Sequence, residues 1–300
     1  MQAVENRAAV VGAYCAMCAI WGTTWLAIKL SLHYIPPMAG VGLRFIIAGA
    51  VMYGVAFAVR RLPFDSARRE APRDAQDDEA RWKLIAVLAV FLFGLNYILT
   101  YTAETRLDSG LVAVLFGTLP FFVFAFGHVL ANERTTPRIW IGAVVAFGGV
   151  AAISLGGQVQ GSPLFALAAI GAAVCSAFAN VYARRHAGHS PLVTLPPAML
   201  ISGICIFVLG IATERISWTL AATPQSIAIL LYLAILGSSI PFFLNLWLLQ
   251  RIPVWIVGLS SLVIPVIAVA VGIAVGGEVF TWRELFGSFL VLAGMWVALT

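Results

Sequence analysis

The sequence predicts an all-α integral membrane protein with ten transmembrane helices, arranged as two inverted five-helix repeats. Three observations lead to this fold class: an extreme apolar composition, ten long apolar stretches, and an internal repeat. Hydrophobic residues make up 61% of the 300 residues and charged residues only 10%, against about 45–50% and about 25% in soluble domains. A soluble protein of this length has too little interior to bury so much apolar surface, so lipid must solvate part of it. The same composition excludes a disordered chain, a nucleic-acid-binding protein and a secreted disulfide scaffold.

The apolar stretches have the lengths that membrane-spanning helices need, because about 20 apolar residues cross the ~30 Å hydrocarbon layer. Several are preceded by Ser or Thr followed by Pro, a pair that caps a helix and occupies its first position. These pairs are Thr136-Pro137, Ser162-Pro163, Ser190-Pro191 and Thr223-Pro224. The ten stretches are 11–32, 38–59, 84–105, 110–131, 137–155, 163–183, 192–212, 224–249, 253–275 and 282–299.

The distribution of Arg and Lys predicts the orientation. With the N-terminus inside, cytoplasmic loops hold 13 of the 18 cations and outer loops hold only Arg106, Arg215 and Arg283. Because cytoplasmic loops carry excess Arg and Lys, we expect a multi-pass protein with both termini cytoplasmic. The expected location is the bacterial inner (plasma) membrane. The net charge of +5 then reflects orientation rather than an acidic partner. Residues 60–83, which mix acidic and basic side chains, are expected to form a flexible cytoplasmic loop.

The chain repeats itself when it is shifted by 145 positions. The matching pairs preserve Pro, Gly and charge, and they include Arg106/Arg251, Pro120/Pro265, Glu133/Glu278, Gly142/Gly287 and Gly149/Gly294. The repeat divides the chain into residues 1–155, helices 1–5, and residues 156–300, helices 6–10. Because five is odd, the copies must have opposite orientations, an arrangement of many secondary transporters with a site near the membrane midplane. An old duplication in a non-transporting membrane protein is the alternative.

Repeated Pro and Gly residues suggest distinct roles. Pro120 and Pro265 lie within the fourth and ninth stretches, where proline frees a backbone carbonyl. We interpret the pair as hinges or cavity-lining kinks, with plain packing kinks as the alternative. The glycines of each pair Gly142/Gly149 and Gly287/Gly294 are seven residues apart, which favours close helix packing.

Polar and aromatic residues inside the apolar stretches are the candidate substrate-binding residues. An unpaired amide costs about 2–7 kcal/mol in an apolar medium, so mid-span amides should face one another or an aqueous cavity. Aromatic and hydroxyl side chains follow helical spacing around them. Such a wall suits a zwitterion with an apolar side chain. The candidates are Trp21, Trp25, Asn96, Tyr97, Thr100, Tyr101, Asn180, Phe242 and Asn245.

Four charged or titratable residues are candidates for a gate, for charge recognition or for proton transfer: Lys29, Arg44, Glu104 and His128. Lys29 and Arg44 could attract a substrate carboxylate; alternatively, they snorkel or pair with backbone carbonyls across the Pro36-Pro37 hairpin. Glu104 could be solvated, and His128 could be a hydrogen-bonded core residue.

No motif indicates an enzyme, a cofactor or a metal site. Cys15 and Cys18 lie in an apolar helix without a second ligand pair, so we expect inert thiols and no metal. Neither a phosphate loop nor a nucleophile elbow occurs. We therefore expect a non-enzyme without a catalytic residue or a cofactor.

Several segments resemble the drug/metabolite transporter superfamily and, within it, the EamA-type family. They are Trp21-Gly-Thr-Thr-Trp-Leu-Ala-Ile-Lys29, Pro36-Pro37 with Leu43-Arg-Phe45, and Pro120 through Glu133-Arg-Thr-Thr-Pro137 to Gly149. The resemblance covers essentially the whole chain and implies ten helices in two inverted halves that export small metabolites. The chain is most similar to the family's aromatic and neutral amino-acid exporters.

The expected function is therefore alternating-access export of neutral or aromatic amino acids, with a small-molecule substrate and the lipid bilayer as partners. A multidrug or nucleoside exporter is the near alternative, and a membrane-embedded enzyme or sensor is the alternative from another class. Uniport, antiport and proton coupling all fit the sequence, and the oligomeric state stays open, a monomer included.

Overall fold

A computed structural model describes residues 2–60, 75–107, 109–154, 163–276 and 282–300. Side chains at some helical positions, those of Trp25 and Lys29 among them, lie outside the described set. Every regular element in these ranges is helical, and no strand occurs in them. The prediction of an all-α chain is confirmed.

The helices form ten consecutive stretches within the described ranges, which we number α1 to α10. Helices begin at Pro137, Pro163, Pro191 and Pro224, as the Ser/Thr-Pro pairs predict. The first five are α1 Gln2–Ser31, α2 Pro37–Arg60, α3 Ala75–Val87 continuing through a π-helical segment Leu88–Leu95 into Asn96–Glu104, α4 Ser109–Phe116 and Leu119–Leu130, and α5 Pro137–Ser154. The second five are α6 Pro163–Arg185, α7 Pro191–Thr213, α8 Pro224–Ala234 continuing through a π-helical segment Ile235–Ser239 into Ile240–Leu249, α9 Val254–Gly258 and Ser260–Gly276, and α10 Trp282–Leu299. A single turn, Trp218–Ala221, precedes α8.

Five helices are long and apolar enough to cross a membrane, judged by length and composition over the described residues. They are Pro37–Val59, Asp78–Glu104, Pro163–Arg185, Pro191–Thr213 and Pro224–Leu249. Shorter apolar helices cover Val114–Leu130, Pro137–Ile153, Val254–Ile267 and Leu285–Leu299. Large apolar side chains such as Leu164, Phe289 and Trp296 face outwards, as expected for a surface in contact with lipid. That all ten stretches cross the membrane stays a prediction.

The polar segment before α3 differs from its prediction. Helix α3 begins at Ala75, nine residues before the expected start. Its first turns carry the ion pairs Asp78–Arg81 at 3.0 Å and Glu79–Lys83 at 2.6 Å, pairs whose spacing stabilises an exposed helix. Part of the expected loop 60–83 is therefore helical, and residues 61–74 lie outside the described residues.

The two proline positions also differ from each other. Helix α4 is interrupted at Gly117-Thr118, so Pro120 is the second residue of a new helix, where a missing N–H is tolerated. The break interrupts the fourth predicted stretch beside Pro120, and a hinge role for this proline stays a prediction. Pro265 does lie inside a helix, and α9 is interrupted before it, at Leu259.

Helices α5 and α10 pack through reciprocal glycine contacts. A Cβ atom added to Gly149 would lie 2.5 Å from the carbonyl oxygen of Gly287, and one added to Gly287 would lie 2.7 Å from that of Gly149. Gly142 and Gly294 meet each other's carbonyl oxygens in the same way. The prediction that these glycines allow close packing is confirmed.

Helices α2 and α7 show the same kind of reciprocity. A Cβ atom at Gly49 would contact Leu200 at 2.8 Å, and one at Gly203 would contact the backbone nitrogen of Ile46 at 2.7 Å. These two close-packed pairs, α2 with α7 and α5 with α10, each join one helix from the first half of the sequence to one from the second.

Candidate functional site

A cavity of about 120 Å³ lies among α1, α2, α3, α4, α6, α8 and α9. Most of the predicted binding residues line this one space, although they are spread over more than 220 positions of sequence. They are Trp21, Asn96, Tyr97, Thr100, Tyr101, Asn180, Phe242 and Asn245. The side chain of Trp25, the remaining candidate, lies outside the described residues.

Mid-helix amides form a polar cluster on the cavity wall. Asn245 Nδ2 donates a hydrogen bond to Asn180 Oδ1 at 2.7 Å, which links α8 to α6. Asn180 Nδ2 in turn donates to the carbonyl oxygen of Ser176 at 2.9 Å. These amides therefore satisfy one another within an apolar helix bundle, as the cost of an unpaired buried amide requires.

On α3, Asn96 adds a second polar position. Its Nδ2 donates to the carbonyl oxygen of Leu92 at 3.1 Å, and its Oδ1 lies 3.5 Å from the hydroxyl of Thr100. Asn96 is the first residue after the π-helical segment Leu88–Leu95. π-Helical turns misalign the backbone hydrogen bonds of a helix and frequently occur at functional sites.

An aromatic cluster centred on Phe242 forms the apolar part of the wall. Its ring centroid lies 4.8 Å from Phe93, 5.4 Å from Trp21 and 6.4 Å from Tyr97, each in an edge-to-face arrangement. Rings packed in this way present apolar faces to a ligand while they stabilise one another by about 0.5–1.5 kcal/mol per pair.

Arg44 supplies the charge. Among the described residues that line the cavity, no other residue carries a charge. Arg44 is 1% exposed. Its Nε donates to Ser238 Oγ at 2.7 Å, and its Nη2 donates to the carbonyl oxygen of Gly237 at 2.9 Å. Arg44 therefore does not snorkel to the membrane surface and does not pair across the Pro36-Pro37 hairpin; its partners belong to the π-helical segment of α8.

The interruptions of α4 and α9 border the same cavity. Phe116 and Leu119 flank the break in α4 and contribute to the wall, as do Gly258 and Ser260 at the break in α9. Helix interruptions at membrane depth expose backbone carbonyls and are tolerated where they face protein or a water-filled cavity.

Sequence reasoning missed several hydroxyl residues of the wall: Thr24, Ser176, Ser260 and Ser261. Helical spacing contains the signal for two of them, since Thr24 is three residues after Trp21 and Ser176 is four residues before Asn180. No comparable signal marks Ser260 and Ser261, because the break in α9 is a feature of the fold.

Three of the charged candidates lie apart from the lining. Glu104 is half-buried at the end of α3, within electrostatic reach of Arg44. His128 is exposed on α4 and is not brought to the cavity. The alternative that it is a hydrogen-bonded core residue is therefore wrong, and its role in proton transfer stays a prediction. The side chain of Lys29 lies outside the described residues. Among the described residues, no cluster of His, Cys, Asp or Glu could hold a metal ion.

An apolar helical bundle around a small polar and aromatic cavity is an arrangement typical of membrane transporters. The model of the EamA-like transporter family matches the chain twice, over residues 9–155 and 164–300. The chain belongs to the EamA-like transporter family.

Two relatives have names that describe transport. The chain is 28% identical to the uncharacterized inner membrane transporter YedA of Escherichia coli, over 91% of this chain and 85% of that protein. It is 27% identical to a "probable amino-acid metabolite efflux pump" of Salmonella typhimurium, over 93% and 90%. A solved crystal structure, 21% identical in sequence, has the same fold with a TM-score of 0.80, over 97% of this chain and 96% of that one.

Proposed function

We propose that this chain is a secondary transporter that exports small metabolites, namely neutral or aromatic amino acids, across the inner membrane by alternating access. One observation carries the proposal: a single cavity combines aromatic faces, paired amides and one arginine. An amino acid offers the complementary groups, since its apolar side chain suits the rings and its charged backbone groups suit the polar side chains.

The proposal includes two inverted halves, residues 1–155 and 156–300, each of five membrane-spanning helices. The family model matches once in each half. The reciprocal contacts of Gly149 with Gly287 support a pseudo-twofold relation between the halves. The π-helical segments Leu88–Leu95 and Ile235–Ser239 support it too, because a shift of 145 positions superposes the second on the first.

Alternating access requires the cavity walls to move relative to one another. The cavity of about 120 Å³ is smaller than the roughly 300–1,000 Å³ of most ligand pockets, and we propose that substrate binding widens it. We propose that the interrupted helices α4 and α9, with Pro120 and Pro265 beside their breaks, are the hinges of this movement.

Neutral and aromatic amino acids are the proposed substrates for reasons of charge as well as shape. A bulky cation would have to bind beside Arg44, where like charges repel. A phosphate or sulfate would need several buried cationic side chains. Among the described residues that line the cavity, Arg44 is the single cation. The relative named as an amino-acid metabolite efflux pump supports the same substrate class.

The test is a transport assay with the full chain in proteoliposomes. Liposomes preloaded with unlabelled L-phenylalanine should accumulate radiolabelled L-phenylalanine by counterflow, and protein-free liposomes should not. A panel of neutral and aromatic amino acids then defines the range of substrates. Absence of counterflow for the entire panel, with protein that is folded by circular dichroism, would contradict the proposal.

A further inference from the structure

Arg44 is held in an unusual way for a cation inside a helix bundle. Its Nε donates a hydrogen bond to Ser238 Oγ, and its Nη2 donates one to the carbonyl oxygen of Gly237. Both acceptors belong to α8, more than 190 residues further along the chain. The rings of Tyr97 and Phe45 flank Arg44, with centroids 5.3 Å and 5.7 Å from the guanidinium carbon. Two hydrogen bonds and two aromatic neighbours fix its orientation without neutralising its charge.

The π-helical segment Ile235–Ser239 makes this arrangement possible. Ser238 Oγ donates to the carbonyl oxygen of Leu233 at 2.9 Å and so presents its lone pair to Arg44 Nε. Gly237 leaves room for the guanidinium, because a Cβ atom there would lie 3.4 Å from Nη2 and 3.0 Å from Thr24 Cγ2. The segment Ile235–Ser239 therefore fixes the position of the Arg44 guanidinium.

One nitrogen of the guanidinium group has no hydrogen-bond partner among the described residues. Arg44 Nη1 is buried and makes no hydrogen bond to any described residue. A buried charged donor left unpaired costs more than a neutral one. Glu104 lies within electrostatic reach, but the ion pairs of the described residues do not include one between the two. Within the described residues, the arginine thus retains a charge without an ion pair and a donor, Nη1, without an acceptor, while the hydroxyl of Tyr101 lies within interaction range of the guanidinium.

We propose that Arg44 is the carboxylate-recognition residue of the transport site and that Ser238 and Gly237 position it. The ligand class is a small zwitterion or monoanion with one carboxylate and an apolar side chain. The carboxylate bonds to Arg44 through a charge-assisted hydrogen bond, and the apolar side chain contacts the rings around Phe242. This assignment rests on the proposed transport function, and its test separates the two.

The experiment compares two probes that differ only at the carboxyl group: L-phenylalanine and L-phenylalaninamide. Counterflow of each probe is measured in proteoliposomes for the unmodified chain, Arg44→Gln and Arg44→Lys. The matched control is Arg138→Gln, which changes an exposed arginine at the second residue of α5. The unmodified chain and the control should prefer the carboxylate on the order of 10- to 100-fold, the value of a hydrogen bond between charged groups. In Arg44→Gln that preference should fall to about one, while transport of the amide persists; Arg44→Lys should keep an intermediate preference.

A second variant keeps Arg44 and tests whether Ser238 positions it. Ser238→Ala removes the acceptor of Nε, so KM for L-phenylalanine should rise several-fold while KM for the amide stays constant. This variant also preserves the test if Arg44→Gln does not fold. Unchanged KM values for both probes would overturn the positioning role.

Two further outcomes separate the role of Arg44 from the transport function. If Arg44→Gln folds and keeps the full preference for the carboxylate, or loses both probes equally, Arg44 does not recognise the carboxylate, although the protein is still a transporter. If the unmodified chain moves neither probe nor any amino acid of the panel, the proposed function fails and this assignment fails with it.

Discussion

Glu133 Oε1 accepts a hydrogen bond from Arg184 Nε at 2.8 Å, which joins the loop after α4 to the end of α6. The second carboxylate oxygen of Glu133 accepts from the backbone nitrogen of Val254 at 2.9 Å, the first residue of α9. Arg184 Nη1 also donates to the carbonyl oxygen of Leu249 at the end of α8. Glu133 therefore stabilises the start of a distant helix rather than that of its neighbour α5, and it connects the two halves of the sequence at one end of the bundle.

Glu133→Gln should lower the free energy of unfolding of the protein. The neutral amide loses the ionic component of the contact to Arg184, and about 1.5–3 kcal/mol is typical for a hydrogen bond between charged groups. Thermal unfolding in detergent is the measurement. Arg184→Gln should cost about as much, and the double variant should cost less than the sum of the two single changes, because both remove one interaction. Strict additivity would contradict a direct coupling.

Asn245→Leu should abolish substrate-induced stabilisation. The change leaves Asn180 Oδ1 without its donor inside the cavity wall, which costs the folded protein about 1–3 kcal/mol. It also replaces an amide that lines the cavity by an apolar side chain, so the ligand complex loses a further hydrogen-bonding partner that the free protein does not need. The measurement is the increase in melting temperature on addition of L-phenylalanine, which a ligand of the folded state produces by mass action.

Gln250→Leu is the matched control for the Asn245 variant. It removes an amide that donates to the carbonyl oxygen of His189 at 2.7 Å, away from the cavity. Stability should fall in this control too, while the increase in melting temperature caused by the ligand is kept. An Asn245→Leu protein that still gains as much stability from L-phenylalanine would exclude this amide from the site.

Gly149→Ala should destabilise the protein, and Gly148→Ala should not. The added methyl group at Gly149 would lie 2.5 Å from the Gly287 carbonyl oxygen and 2.7 Å from the Val291 nitrogen, both backbone atoms of α10. Overpacking of this kind costs about 1–3 kcal/mol or more. At the adjacent Gly148 nothing lies within 4 Å, and alanine there should add up to about 1 kcal/mol through helix propensity. Equal melting temperatures for the two variants would argue against close packing of α5 on α10.

Both termini should lie in the cytoplasm. A fluorescent protein fused after Thr300 should fluoresce, and alkaline phosphatase fused at the same position should be inactive, because the first folds in the cytoplasm and the second only outside it. Fusion after Arg215, in the loop that follows α7, should give the reverse result. Active phosphatase at the C-terminus would contradict the excess of cytoplasmic Arg and Lys as the determinant of orientation.

Residues of the cavity wall could be predicted from sequence where their burial without a hydrogen-bond partner would cost free energy. An amide such as Asn96, Asn180 or Asn245 within an apolar helix is expensive unless it faces a partner or a polar space, and each lines the cavity. Tyr97 and Tyr101 were predicted through helical spacing. His128 has no such constraint, because its backbone position alone does not tell on which side of α4 it lies.

The sequence by itself determined that the chain is an apolar, helical membrane protein, that Pro137, Pro163, Pro191 and Pro224 begin helices, and that small residues such as Gly149 allow close packing. These features follow from local chemistry: hydropathy, the missing N–H of proline and the missing side chain of glycine. Only the tertiary structure decided that Arg44 would meet Ser238 and Gly237, and that Glu133 would stabilise the start of α9 at Val254. Those contacts join residues more than 100 positions apart in the sequence, so no local pattern of residues contains them.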